Sequence, residues 1–174
     1  MSLPRLSLVL GGAASGKSAF AEGLVQGASD LPTYIATSQV FDAEMAAKVA
    51  AHRSARGTGW TTIEEPLDIA GALASAPLDA PVLIDCATLW LTNVMLGEHD
   101  LEAAEADFLA ALAVAEQPVV IVSNETGQGI VPENALARRF RNAQGRLNQK
   151  IAARADLVVA VMAGLPLVLK GRLP

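Results

Sequence analysis

The sequence predicts an α/β fold in which a mainly parallel β-sheet carries helices on both of its faces. Five short apolar runs recur along the chain, and they alternate with longer segments that are rich in helix-forming residues and contain no proline. The apolar runs are residues 6–10, 33–36, 82–85, 119–123 and 157–162, and the helical segments are residues 18–26, 42–56, 101–115 and 134–155.

A glycine-rich loop directly follows the first apolar run. Its sequence, GGAASGKS, fits the phosphate-binding pattern of a glycine, four residues, and then Gly-Lys-Ser. Small residues let backbone N–H groups approach phosphate oxygens, Lys17 reaches the β and γ phosphates, and the Ser18 hydroxyl is suited to Mg²⁺. The pattern predicts nucleoside triphosphate binding and, with the alternating strands, a P-loop NTPase fold of the RecA-like kind. The alternative is a glycine-rich turn before an ordinary helix. The loop comprises Gly11, Gly12, Ala13, Ala14, Ser15, Gly16, Lys17 and Ser18.

The helix predicted at residues 42–56 carries one of the two histidines. Met45, Val49, His52 and Arg56 lie at spacings of four, three and four, so they share one stripe that runs from apolar to basic. A lone histidine on such a face is usually packed, yet Arg53 and Arg56 are placed to steer a polyphosphate to it. From the residues alone, His52 is either a packed side chain or a functional one.

The third apolar run ends in an acidic residue, Asp85. Ligands of parallel sheets gather beyond the carboxyl ends of the strands, so Asp85 is a candidate to hold Mg²⁺ opposite Ser18. The alternative is a carboxylate that caps the next turn. The single cysteine, Cys86, follows it and excludes an internal disulfide; we expect a buried small side chain rather than a nucleophile.

The fourth apolar run leads into a loop with polar residues and two nearby glycines, at residues 123–132. Such a loop can approach a ligand closely, so Glu125 is a candidate contact for a base, a sugar hydroxyl or a metal, although similar loops are often merely structural. The helix that follows carries four arginines that face either phosphates or water, and a solvated surface is the expectation. They are Arg138, Arg139, Arg141 and Arg146.

The longest apolar stretch near the C-terminus, residues 157–169, is too short to span a bilayer and is broken by Gly164 and Pro166. It predicts buried strands. No charged segment followed by an apolar one opens the chain, so we expect no signal peptide and a cytoplasmic location.

The composition suits one domain over residues 1–174. Hydrophobic residues make up 52% of the chain and charged residues 18%, with a mean hydropathy of +0.36. A chain this apolar is expected to bury surface on itself or on further copies, which predicts a homo-oligomer. The net charge of −5 provides no field that attracts nucleic acid, so no such partner is expected.

Taken in order, these segments resemble one family, the bifunctional adenosylcobinamide kinase and adenosylcobinamide-phosphate guanylyltransferase of cobalamin synthesis. The resemblance covers nearly the whole chain. Many proteins share the glycine-rich loop, whereas IATSQ with a downstream HR, and NETGQGIVPEN with a following FR and NQ, are specific to this family.

The resemblance implies two reactions. ATP or GTP phosphorylates the aminopropanol hydroxyl of adenosylcobinamide, and GTP then supplies GMP to that phosphate, giving adenosylcobinamide-GDP and pyrophosphate. In the family the second reaction passes through a guanylylated histidine, and the matching position in MAAKVAAHRSARG is His52. A neutral imidazole is a competent nucleophile near about pH 7.

The same resemblance implies the remaining parts of the site. Mg²⁺ and Lys17 neutralise charge on the departing pyrophosphate, and Asp85 matches an acidic residue at the strand end. Arg53 and Glu64 join the nucleotide-binding residues, and the subunits form a homotrimer. The chain departs from many relatives at Ala14, where they carry Arg, and at Asn142, where they often carry Asp.

Two other functions fit the residues. One is a P-loop kinase of another small alcohol, with His52 as ordinary packing, and it predicts no covalent nucleotide. The other is a nucleotide-binding regulatory module, which predicts binding without turnover of a corrinoid.

Overall fold

A seven-stranded sheet forms the centre of the fold in a computed structural model, which describes residues 2–39 and 59–174. The helix predicted at residues 42–56, with His52 and Arg53, lies outside the described residues. The strands are β1 (Leu6–Gly11), β2 (Thr33–Ala36), β3 (Thr61–Glu64), β4 (Val82–Asp85), β5 (Val119–Asn124), β6 (Leu157–Met162) and β7 (Leu165–Lys170). The helices in the described ranges are α1 (Lys17–Gln26), α2 (Ile69–Ser75), α3 (Ala87–Leu96), α4 (Leu101–Val114) and α5 (Ala135–Arg154).

The strand order is β3-β2-β4-β5-β1-β6-β7, and every pair is parallel except β6 with β7. Strand β1 therefore lies between β5 and β6, and β5 separates β1 from β4. Because parallel strands end at the same edge, the segments after β1, β2, β4 and β5 meet along one side of the sheet. The predicted mainly parallel sheet is confirmed.

The central strands β1, β4 and β5 bury side chains on both faces, as strands covered by helices require. Leu8, Ile84 and Ile121 belong to one buried cluster, which includes side chains of α2, α3, α4 and α5. Val9 and Val120 belong to a second cluster, on the opposite face, with side chains of α1. The prediction of helices on both faces is confirmed.

Three helices begin at side chains that cap them. The carboxylates of Asp68 and Asp100 and the amide oxygen of Asn134 accept N–H groups from the first turns of α2, α4 and α5, at 2.7 to 3.2 Å. A cap of this kind typically stabilises a helix by about 1 kcal/mol. Within the described part of the chain no side chain caps α1, which begins after Gly16.

The prediction of buried strands across residues 157–169 is correct for β6 and wrong for β7. Every residue of β7 is exposed, whereas most of β6 is buried. Ala163 and Gly164, with φ of 51° and 78°, reverse the chain so that β7 pairs antiparallel at the end of the sheet. Burial there depends on a neighbour beyond the edge, which a local apolar pattern does not specify. No described helix is long and apolar enough to cross a membrane.

Val120→Ala and Val114→Ala each remove two methyl groups. Val120 is fully buried in β5, whereas Val114 on α4 is 78% exposed. We expect Val120→Ala to lower the free energy of unfolding by about 2 to 3 kcal/mol, since it loses apolar burial and leaves a cavity. Val114→Ala should be near neutral, because alanine favours an exposed helix. Urea unfolding of both variants checks this, and equal losses would contradict the assignment of the core.

Candidate functional site

The glycine-rich loop joins β1 to α1 and exposes the helix start to a ligand. Gly16 adopts a left-handed conformation with φ of 92°, and its carbonyl accepts the N–H of Phe20 at 3.0 Å, which closes the first turn of α1. Ala14 also has a positive φ, 54°. Uncapped N–H groups at a helix start carry partial positive charge and attract phosphate. The loop therefore has the backbone geometry of an anion site.

Lys17 lies at the first position of α1, and its ammonium group donates a hydrogen bond to the carbonyl of Gly12 at 3.2 Å. The bond folds the side chain back over the loop that precedes it. An ammonium in this place is within reach of an anion held by the loop backbone.

The turn between β6 and β7 packs directly on the loop. The N–H of Gly164 donates to the carbonyl of Ser15 at 2.8 Å, and a Cβ on Gly16 would lie 3.1 Å from the Cα of Gly164. A Cβ on Gly11 would lie 2.7 Å from the carbonyl oxygen of Val161. The C-terminal hairpin thus fixes one side of the loop, and both glycines are required by close backbone approach.

Asp85 ends β4, and β5 separates that strand from β1. Two strand spacings put the ends of β4 and β1 about 10 Å apart. The hydroxyl of Tyr34 donates to Oδ2 of Asp85 at 3.1 Å, and the carboxylate stays half-buried at the edge where the loop lies.

Strand β5 ends beside the loop. Asn124 is in register with Gly11, and the N–H of Glu125 donates to the Gly11 carbonyl at 3.0 Å. The Glu125 carboxylate accepts the N–H of Gly127 at 2.9 Å, so it also shapes its own turn. Glu125 therefore adjoins the loop, and its nucleotide contact stays a prediction.

Glu64 ends β3 at the same edge of the sheet, but β3 lies four positions from β1 in the strand order. The structure therefore places it about 19 Å along the edge from the loop. His52 and Arg53 lie outside the described residues, so their predicted roles at the nucleotide stay predictions.

Helix α5, which carries the four arginines, makes hydrogen bonds through its side chains that the sequence did not reveal. Arg138 donates to the carbonyl of Pro132 at 2.8 Å and so secures the loop before α5. Two amides further along α5, Gln144 and Asn148, are buried against Ser123 of β5. The signal available in the sequence was their spacing of four, which puts both on one helix face beside Leu147 and Ile151.

Thr37, within the IATSQ segment, is a second residue that sequence reasoning left unassigned. Its hydroxyl donates to the Cys86 carbonyl and accepts the Cys86 N–H, both at 2.8 Å, and its own carbonyl accepts the Asn93 amide at 2.8 Å. These bonds tie the end of β2 to the turn after Asp85.

Burial, reinforced by the nearby Asp85 carboxylate, raises the pKa of the Cys86 thiol from 9.0 to about 11. Hydrogen bonds from the N–H groups of Leu89 and Thr88 oppose the shift without cancelling it. The thiol is protonated at neutral pH, which agrees with the expected small buried side chain and excludes a ready nucleophile.

A glycine-rich loop with a lysine, set between the first strand and first helix of a parallel sheet, defines a nucleotide-binding protein of the P-loop class. The chain belongs to the family described as cobinamide kinase / cobinamide phosphate guanyltransferase, whose model matches residues 7–169. The resemblance read from the sequence is confirmed.

Curated relatives match nearly the whole chain. It is 44% identical to the bifunctional adenosylcobalamin biosynthesis protein CobP of Pseudomonas aeruginosa, over 94% of this chain and 96% of the relative. It is 43% identical to the protein CobU of Salmonella typhimurium, which carries the same description, over 94% of this chain and 98% of the relative. Among solved structures, the RadB recombinase matches with a TM-score of 0.52 at 16% identity, over 91% of this chain and 74% of that one. The predicted RecA-like fold is confirmed.

Gly16→Ala and Gly164→Ala form a matched pair, because both residues have positive φ but only Gly16 lacks room for a Cβ. We expect each variant to lose about 1 to 2 kcal/mol of stability from the backbone conformation alone. Gly16→Ala should also weaken nucleotide binding at least about tenfold, because the loop must move away from the hairpin. Fluorescent-nucleotide titration checks this, and equal affinities for the two variants would show that the contact is unimportant.

Alkylation of the native protein by iodoacetamide at about pH 8 should be at least about 100-fold slower than alkylation of the urea-unfolded chain. The raised pKa of Cys86 leaves little thiolate, and rising pH should accelerate the native reaction up to about pH 11. Mass spectrometry over time measures both rates. Fast native alkylation at neutral pH would mean that the thiol is accessible and ionised.

Proposed function

We propose that this chain catalyses two successive transfers on a corrinoid. ATP or GTP phosphorylates adenosylcobinamide, and GTP then transfers GMP to adenosylcobinamide phosphate, giving adenosylcobinamide-GDP and pyrophosphate. The observation that carries the proposal is the family match over residues 7–169, and the phosphate-loop geometry supports it.

In the first reaction the loop from Gly11 to Ser18 holds the triphosphate. The bond between the γ phosphorus and its bridging oxygen breaks, a bond from the substrate hydroxyl oxygen to that phosphorus forms, and the hydroxyl proton passes to water. Lys17 leaves the Gly12 carbonyl and stabilises the charge that develops on the phosphates.

Ser18 and Asp85 supply oxygen donors of the kind that Mg²⁺ prefers. Among residues 2–39 and 59–174, the only hydrogen bond to the side chain of the half-buried Asp85 is that of Tyr34 to Oδ2, which leaves Oδ1 open to an ion at the edge where the loop lies. The residues therefore fit the ion. Bound there, Mg²⁺ would neutralise charge on the phosphate groups.

In the second reaction a ring nitrogen of His52 attacks the α phosphorus of GTP, and pyrophosphate leaves. A phosphate oxygen of adenosylcobinamide phosphate then attacks the phosphoramidate and frees the imidazole. Arg53, Glu64 and Glu125 complete the nucleotide contacts in this proposal.

We also propose a cytoplasmic homotrimer made of this one domain, with no nucleic-acid partner. Exposed apolar side chains on β7 and on the loop before α5 support assembly, since a monomer rarely leaves so many uncovered. They include Ile130, Val131, Leu165, Leu167 and Leu169.

His52→Ala tests the covalent step. After incubation with GTP and Mg²⁺ and acid-free handling, we expect mass spectrometry to find a GMP adduct on the His52 peptide of the wild-type protein. The variant should carry no adduct yet still phosphorylate adenosylcobinamide, because the kinase step needs the loop and Lys17 but not the imidazole.

His99→Ala is the control for this experiment, because His99 is the other histidine of the chain and lies outside the loop region. It should keep the adduct. A wild-type sample that binds GTP but forms no adduct would leave a P-loop kinase of another alcohol or a regulatory module.

A further inference from the structure

A cluster of buried polar side chains lies beneath the end of β5. Ser123 donates to the amide oxygen of Asn148 at 2.7 Å, and Gln144 donates to both of them at 2.9 Å. Ser123 and Gln144 are fully buried, and Asn148 is nearly so. A buried polar network is often no more stable than an apolar core of the same shape. The polar cluster in this protein therefore needs an explanation other than stability.

The cluster fixes the backbone of Asn124, the last residue of β5. The Asn148 amide donates to the Asn124 carbonyl at 3.1 Å, and the Asn124 N–H donates to the Thr88 hydroxyl at 2.8 Å. Strand β4 ends at Asp85, opposite Val122, so it offers Asn124 no further partner. Side chains of α3 and α5 therefore hold this residue where the sheet no longer does.

Asn124 lies between the two parts of the phosphate site, which are the glycine-rich loop and Asp85. Asn124 is in register with Gly11, where the loop begins, and β5 separates that loop from Asp85. A phosphate chain that extends from the loop toward Asp85 must cross the end of β5, because strand order leaves no other strand between them.

The side-chain amide of Asn124 has no partner of its own among the described residues. Its Oδ1 is buried without a hydrogen bond, and the residue is only half-buried, so the exposed end of the amide is the NH₂ group. The buried hydroxyls of Ser15 and Thr126, in the loops after β1 and β5, also lack partners there. Unpaired buried polar atoms also occur elsewhere in the described chain, but these three follow β1 and β5 at the edge where the phosphate loop lies. A ligand bound at that edge would offset a cost of about 1 to 3 kcal/mol for each of them.

We propose that Asn124 is a catalytic residue of the phosphoryl transfer, whose amide NH₂ binds the terminal phosphate of the nucleoside triphosphate. Thr88, Gln144 and Asn148 are positioning residues that act through it. The fixed donor holds the γ phosphoryl group in line and stabilises the charge on its oxygens in the transition state, while the bond to the bridging oxygen breaks and the bond to the acceptor hydroxyl oxygen forms. The inference rests on the proposed function, since it needs a nucleoside triphosphate in the loop.

Asn124→Ala and Asn124→Asp test the contact. With Mg²⁺ present, calorimetry measures the affinity for GTP and for GDP, and single-turnover assays measure transfer of the γ phosphate to adenosylcobinamide. We expect Asn124→Ala to slow transfer about 100-fold and to weaken GTP binding while GDP binding is unchanged, since GDP lacks the terminal phosphate. Asn124→Asp should weaken GTP binding further, because its carboxylate repels that phosphate.

Gln117→Ala is the matched control. Gln117 is a buried amide just before the opposite end of β5, where it donates to the Leu73 carbonyl at 2.9 Å. It should lower the melting temperature and leave both the transfer rate and the ratio of GTP to GDP affinity at their wild-type values.

The positioning role is tested with a double-mutant cycle. Asn148→Ala alone should slow transfer about tenfold, and it should have no further effect when Asn124 is already alanine, because it acts through that residue. Additive losses would show that Asn148 acts independently and would overturn this part of the proposal.

An unchanged transfer rate and GTP to GDP ratio in Asn124→Ala would overturn the catalytic role. The catalytic role would also be overturned if Gln117→Ala slowed transfer as much as Asn124→Ala does at the same loss of stability. If the alanine variant fails to fold, the nearly isosteric Asn124→Asp decides by the same ratio. Wild-type protein that binds GTP but does not phosphorylate the corrinoid would refute the proposed function, while the affinity ratio would still test Asn124.

Discussion

The parallel pairing of β5 with both β1 and β4 is the constraint on which the site depends. It sets Asn124 beside Gly11 and places the strand end between the loop and Asp85. A slip of one residue would turn every side chain of β5 to the other face of the sheet. Because Val120 and Ile121 make both faces of β5 apolar, hydrophobicity alone does not prevent that slip. The buried hydroxyl of Ser123 does, since it would lose its hydrogen bonds to Asn148 and Gln144, so the polar cluster and the site geometry are set by the same register.

The parts of the fold that depend on local pattern were predictable. The runs at 33–36, 82–85 and 157–162 coincide with β2, β4 and β6, because a short apolar run flanked by polar turns has few other stable forms. Strand β3 was not predicted, since its Thr and Glu residues form a strand only through pairing with β2. The exposure of β7 follows from its place at the sheet edge, which is a property of topology rather than of its own residues.

The same division applies to the site. The phosphate loop was found because its chemistry requires consecutive residues, which a sequence displays directly. The amides under β5 were missed, because Gln144 and Asn148 acquire a role only when α5 packs across Ser123, which is more than twenty residues away. Likewise, nothing near Ser15 in the sequence shows that Gly164 supports it.

The chain holds two tryptophans in different surroundings. Trp60 meets the ring of Tyr34 edge to face, with centroids 5.8 Å apart, and the hydroxyl of that tyrosine donates to Asp85. Trp90 lies in the cluster on the opposite face, where it donates to the Leu67 carbonyl at 3.0 Å. The ring of Tyr34 thus links Trp60 to the Asp85 carboxylate at the phosphate edge, whereas Trp90 is buried in the core. We therefore expect the emission of Trp60 to change when a ligand binds at Asp85, whereas the buried Trp90 should contribute an emission that changes little.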